Sequence, residues 1–187
     1  MTPVLRPFLY LDHNATTPLA AEARQAMMPH LDGQFGNPSS LHRHGQRARV
    51  AVEEAREQVA ALLGSDPNQV VFVSGGTEAD NLALRGVMGV RAARESRRHL
   101  LVSAVEHPAV LDTAQALAAQ GFELELIPTD ADGRVDPREV ERRLRPDTAL
   151  VSVMAANHEV GTLQPVRSIA RLLHGRGIVF HVDAVQA

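Results

Sequence analysis

The chain has 187 residues, 44% of them hydrophobic and 22% charged, enough for one α/β domain with a buried core. A formal net charge of −3 and a pI near 6.3 give the molecule no overall field that would draw nucleic acid or an anionic membrane as a partner. Cysteine is absent and all 19 basic residues are arginines. That excludes disulfides, thiolate metal sites and a thiol nucleophile here, and leaves no side-chain amine to form a Schiff base with a carbonyl cofactor.

The N-terminal stretch MTPVLRPFLYLDHNATTP has neither the basic start nor the apolar core of a secretory signal, and no apolar run reaches bilayer length. A cytoplasmic address is the expectation. After Pro18 the pattern alternates between helical and strand periods. From Gly45 to Leu63 the apolar residues Ala48, Val52, Ala55, Val59, Leu62 and Leu63 recur at three- and four-residue steps, with Gly64 as a stop, which predicts an amphipathic helix. The β-branched run VVFVSG from Val70 predicts a short buried strand, followed by a helix from near Thr77 through Leu82, Leu84 and Val87.

HLLVSAV from His99 repeats the strand pattern, and Pro108 then occupies a favoured first helical position in a stretch closed by Gly121. ELELIP from Glu123 reads as a strand, DADG from Asp130 as a turn and PREVERRLR as a short charged helix. TALVSVM from Thr148 is a strand, VRSIARLLHGRG a helix with a glycine end, and IVFHVDA from Ile178 the last strand. Strands alternating with crossover-length helices predict a three-layer αβα domain with a mostly parallel sheet. The sequence stops soon after that last strand, which reads as a fold interrupted at its C-terminus.

Open parallel sheets bind ligands outside the carboxyl ends of their strands, and here those ends are polar. SGGTEADN, EHP, NHE and DAVQ follow the strands at Val70, His99, Thr148 and Ile178. In SGGTEADN, Gly75 and Gly76 let backbone N–H groups face a ligand and Thr77 adds a hydroxyl at a positive helix end, a suitable phosphate cradle. The same residues also suit a plain helix cap by Ser74 or Thr77. No lysine follows these glycines, so this is not a Walker loop, and it is not a dinucleotide turn either.

His107 precedes a helix-starting proline, where an imidazole can stack on a flat ring or move a proton, or serve structure alone. The His42/His44 pair in LHRHG reads as surface or interface, with no third ligand at metal-site spacing. Asp183, ending an apolar strand, would have its pKa raised by burial unless a cation met it; a protonated pyridine nitrogen is such a cation. Capping the next turn is its other reading. Gln186, three residues on, can reach the same side and bond a neighbouring ring substituent.

Taken together, YLDHNATTP at Tyr10, GNPSSLHRHG at Gly36, FVSGGTEADNLAL at Phe72, VEHPAVL at Val105, NHEVGTLQP at Asn157 and HVDAVQA at His181 resemble the cysteine desulfurases of the NifS/IscS type. These are class-V aminotransferase-like enzymes of pyridoxal-phosphate fold type I, and the likeness covers the N-terminal part of that family. It implies pyridoxal 5'-phosphate as cofactor and L-cysteine as substrate. L-Alanine would be the product, with persulfide sulfur passed to acceptor or scaffold proteins for iron–sulfur cluster or other sulfur-cofactor biosynthesis, by a homodimer.

By motif, Gly76 and Thr77 would hold the cofactor phosphate and His107 would stack on the ring and assist proton transfer. Asp183 would pair with the ring nitrogen, and Gln186 would bond the phenolic oxygen. The family pattern has Asn-Asn-Glu where this chain has Asn157-His158-Glu159, so His158 takes the cofactor- and substrate-contacting position. Residues 1–17 would form an arm joining a small domain, and residues 18–187 part of the large cofactor-binding domain.

The family's Schiff-base lysine and nucleophilic cysteine are not in this chain. The alternatives are a catalytically incomplete subunit that only binds a ligand or partner, and a selenocysteine lyase or related aminotransferase on the same scaffold.

Overall fold

The computed structural model describes residues 9–187, so residues 1–8 of the expected N-terminal arm lie outside the described residues. The chain divides into two compact units, one ending at Phe72 and the other running from Val73 to Ala187.

The first unit is helical. α1 spans Ala21–Asp32 and α2 spans Arg43–Leu63, ending at Gly64 in the left-handed conformation (φ 65°) that the glycine stop predicts. The GNPSSLHRHG motif closes tightly on the start of α2. A Cβ at Gly45 would lie 2.2 Å from the Ser40 carbonyl oxygen and one at Gly36 2.4 Å from that of His44, so close backbone approach demands both glycines. The histidine pair has structural partners: His42 Nδ1 accepts from Gly45 N–H at 3.4 Å as the N-cap of α2, and His44 stacks on Phe35. Asp66 caps a single 3₁₀ turn, Pro67–Gln69, in a capping box with Gln69.

One expected element does not form. Val70 to Val73 belong to no strand, and Val71 and Phe72 are exposed. Arg56 holds this segment instead, its guanidinium donating to the Val70 carbonyl and lying 5.0 Å over the Phe72 ring.

The second unit is a parallel α/β layer structure. α3 (Gly76–Glu95) leads into β1 (His99–Ser103), α4 (Pro108–Ala118), β2 (Glu123–Ile127), α5 (Pro137–Arg143), β3 (Thr148–Ser152), α6 (Val166–Leu173) and β4 (Val179–His181). Among the described residues all strand pairings are parallel, in the order β2-β1-β3-β4. Central β1 and β3 are buried throughout, whereas edge strand β2 leaves Glu123 and Leu126 exposed, as position in the sheet dictates.

Two hydrophobic cores sit on opposite faces of the sheet. Leu84 and Met88 of α3 and Val110, Ala114 and Leu117 of α4 pack on Leu100, Val102 and Leu150. Val140 of α5 and Ile169 and Leu173 of α6 pack on Leu101, Ile127 and Val151. This is the expected three-layer αβα arrangement. A register shift between His99 and Leu100 skips Ala149 in the β1–β3 pairing, and Ala149 accordingly joins Leu150 on the α3/α4 face.

After β1 the chain places β2 on one side, then returns to build β3 and β4 on the other. The strand order therefore reverses between β1 and β3, and a crevice at their carboxyl ends is the expected ligand position.

Candidate functional site

At that end of the second unit lies a cavity of about 200 Å³ lined by Gly76, Thr77, Asp80, His107, His158, Asp183 and Gln186, with Ala156 and Val185 as its apolar members. All six residues singled out from the sequence thus border one space. They arrive from the first turn of α3 and from the segments that leave β1, β3 and β4.

The start of α3 carries no side-chain cap. Its N-cap is Gly75, and Ser74 turns away to Glu78, whose Oε2 accepts from the Ser74 N–H at 2.7 Å and the Ser74 hydroxyl at 2.5 Å. Those two bonds, the hydroxyl's first, hold the Glu78 carboxyl below its ordinary range. The simple helix-cap reading of Ser74 and Thr77 therefore does not describe this turn. N–H groups at the first helical positions lack intrahelical acceptors, and here Gly76 and Thr77 border the cavity. A Cβ on Gly76 would come within 3.1 Å of Val185 Cγ2.

His107 combines a structural contact with a place at the cavity. It is the N-cap of α4, its Nδ1 accepting from Ala109 N–H at 3.1 Å, and it is an exposed residue on the cavity wall. Because Nδ1 is the acceptor, the neutral ring carries its proton on Nε2. His158 meets it edge to face, with ring centroids 5.3 Å apart and planes at 63°.

Asn157 shapes the loop that presents His158. Its Nδ2 donates to the Val105 carbonyl at 3.0 Å, and its Oδ1 accepts the N–H groups of Glu159 and Val160 at 2.9 Å. Asp183 is half-buried, two residues past the end of β4, and its Oδ1 accepts from Val185 N–H at 3.0 Å. The turn-capping reading is therefore realised, on a carboxylate that also faces the cavity.

The burial expected at Asp183 falls on two other acids. Asp80 and Glu106 are only 5% and 4% exposed. Desolvation, reinforced by the Asp183 charge and opposed by His107, raises Asp80 to about 6. Desolvation also raises Glu106 to about 7 against bonds from the Ser103 hydroxyl (2.5 Å) and the Met154 N–H (2.7 Å), both to Oε1. Glu106 Oε2 is buried without a hydrogen-bond partner among the described residues.

His181 Nε2 lies 3.4 Å from Asp80 Oδ1, and its Nδ1 is 2.9 Å from the Ser152 hydroxyl. Burial lowers the His181 pKa. The sequence reading passed over these residues, although signals existed. Asp80 is three and four residues beyond Thr77 and Gly76 and so shares their helix face, and His181 stands two residues before Asp183 in an extended stretch.

The model of the aminotransferase class-V family matches residues 9–187, and the chain belongs to that family. It is 45% identical over 186 residues to the human protein named cysteine desulfurase, covering 99% of this chain and 40% of that one. It is 44% identical over 178 residues to cysteine desulfurase IscS of Dictyoglomus turgidum, covering 95% and 45%. Among solved structures, a NifS-like protein superposes with a TM-score of 0.89 at 38% identity, over 94% of this chain and 48% of that one. A structure titled SspA in complex with cysteine also gives 0.89, at 36% identity over 95% and 51%. The chain spans under half the length of the curated relatives it matches.

No helix among the described residues is long and apolar enough to cross a membrane. No group of three or more His, Cys, Asp and Glu among them could hold a metal ion.

Proposed function

We propose that this chain forms part of the pyridoxal 5'-phosphate site of a cysteine desulfurase, an enzyme that converts L-cysteine to L-alanine and passes persulfide sulfur to an acceptor protein. The observation that carries this reading is the convergence of Gly76, Thr77, His107, His158, Asp183 and Gln186 on one cavity. In this proposal residues 18–187 belong to the large cofactor-binding domain and residues 1–17 to an arm, and the whole protein works as a homodimer.

The donor set fits the cofactor part by part. The uncapped start of α3, with Gly76 where a Cβ would crowd Val185, suits a phosphate. The His107 imidazole suits the face of a flat ring, Asp183 a protonated ring nitrogen, and Gln186 a phenolic oxygen. When bound, the cofactor supplies an electron sink for charge developing beside the α-carbon of an amino acid.

The chain's own contributions are binding and proton handling. Thr77 and the neighbouring amides orient the phosphate, and Asp183 keeps the ring nitrogen protonated by favouring its charged form. His107, with Nδ1 committed to Ala109 N–H, holds and moves a proton at Nε2. His158 offers an imidazole to the substrate carboxylate where the family pattern has an amide.

Neither lysine nor cysteine occurs among the 187 residues. Covalent cofactor attachment and the sulfur-accepting thiol are therefore not supplied by this chain, and alone it binds without turning over. Incubation with pyridoxal phosphate should give saturable binding that weakens in Asp183→Asn. Borohydride reduction should trap no side-chain adduct. Failure to bind, or a trapped side-chain adduct, would refute the reading.

A further inference from the structure

We propose that Asp80 is a second acidic contact for the bound ligand, receiving together with Asp183 the positive charge of a heteroaromatic ring, with its carboxylate held in place by His181 and Ser152. The proposal rests on the cofactor reading of the cavity and adds to it a residue on the floor of the site. Asp80 borders the cavity although it is almost wholly buried. Burying a carboxylate is costly unless a cation or hydrogen-bond donors compensate it. Among the described residues no arginine lines this cavity, and the other carboxylate that does is Asp183. His181 offers Asp80 one hydrogen-bond donor, and a cationic ligand supplies the positive charge that the lining lacks.

The support beneath Asp80 is specific. His181 Nε2 sits 3.4 Å from Asp80 Oδ1 and His181 Nδ1 sits 2.9 Å from Ser152 Oγ. With the Ser152 hydroxyl donating to Nδ1, the neutral imidazole carries its proton on Nε2 and offers it to Asp80. Ser152 lies on the fully buried strand β3, so this chain of three is a support and not a nucleophile. The groups that face Asp80 are Asp183 and His181 from β4 and its exit, Glu106 and His107 from the β1 exit, and His158 across the cavity.

Without a cation, burial, reinforced by the neighbouring Asp183 charge, makes Asp80 retain its proton up to about pH 6. When a ring bearing N–H⁺ enters, the ring keeps its proton, the Asp80 carboxyl ionises, and one proton leaves to solvent.

Calorimetric titration of the 187-residue chain with pyridoxal phosphate, in buffers of different ionisation enthalpy at pH 5.5, reads that proton directly. Wild type should release about three-quarters of a proton more than Asp80→Asn, the share that a group titrating at about 6 holds at pH 5.5. From pH 5 to 7.5 its affinity should improve about tenfold more than the variant's. Equal release and parallel pH profiles would overturn the proposal while leaving the cofactor reading intact.

If wild type binds no pyridoxal phosphate, the cofactor reading fails. The carboxylate pairing is then decided by NMR titration of Asp80 in the ligand-free chain. Its midpoint should fall in Asp183→Asn, and an unmoved midpoint would overturn the pair.

Discussion

Glu106 and Met154 join the exits of the two central strands. The Met154 N–H donates to Glu106 Oε1 at 2.7 Å, and the same oxygen accepts the Ser103 hydroxyl at 2.5 Å. This fixes the loop carrying His107 against the loop carrying His158, so the wall of the cavity is set by a buried carboxyl that does not line it.

That carboxyl makes stability depend on pH. Folding raises Glu106 from 4.5 to about 7, chiefly by burial, so the folded chain binds its proton more tightly than the unfolded one. The contribution is therefore complete below the unfolded pKa and is lost as pH rises through about 7. A shift of this size corresponds to roughly 3 kcal/mol. Urea denaturation at pH 5 and pH 8 should show wild type losing more stability than Glu106→Gln over that interval. Asp80 helps to raise Glu106, so the same pair compared in an Asp80→Asn background should still show the difference. Parallel losses would sink the assignment.

Asp136 offers a test away from the cavity. It is the N-cap of α5, its Oδ1 accepting from Arg138 N–H at 2.9 Å, and α5 contributes Val140 to the second core. Asp136→Ala should cost about 1 kcal/mol of stability and leave pyridoxal phosphate affinity unchanged. A large change in affinity would mean that the α5/α6 layer is coupled to the site.

Much of this architecture was legible in the residues because the relevant physics is local. β1 and β3 are apolar runs that end up buried on both faces, and the Gly64 stop and the Pro108 start of α4 were visible as backbone chemistry. The run at Val70 shows where local reasoning ends. Its β-branched residues fit a pleated surface, but a strand exists only with a partner, and the described residues provide Arg56 instead. The cavity was legible because polar residues closing apolar strands stand out. Asp80 and Glu106 were not, since their burial depends on how α3 and α4 pack on the sheet, which no window of sequence reports.

Gly76 tests the cradle sterically. An added methyl would lie 3.1 Å from Val185 Cγ2, tight enough that the exposed Val185 must give way. Gly76→Ala should keep or slightly raise the melting temperature, because alanine is up to about 1 kcal/mol more helix-favouring than glycine. It should weaken pyridoxal phosphate binding about tenfold, the order expected when one hydrogen bond to a charged group is spoiled. The double variant with Val185→Ala should recover most of that affinity. A single variant that binds normally would remove Gly76 from the phosphate contact.

His107 carries two roles on two nitrogens, and substitution can part them. Its Nδ1 caps α4 through Ala109 N–H at 3.1 Å, while the rest of the ring faces the cavity beside His158. Asparagine is a good N-cap and has no ring, so His107→Asn should stay within about 0.5 kcal/mol of wild-type stability, whereas His107→Ala should lose about 1 kcal/mol. Both should bind pyridoxal phosphate more weakly by a similar factor, because both lack the imidazole. If the asparagine variant kept wild-type affinity, the cap alone would explain the position, and the ring's part in the site would have to be given up. A lost affinity at preserved stability would instead assign the binding to the ring.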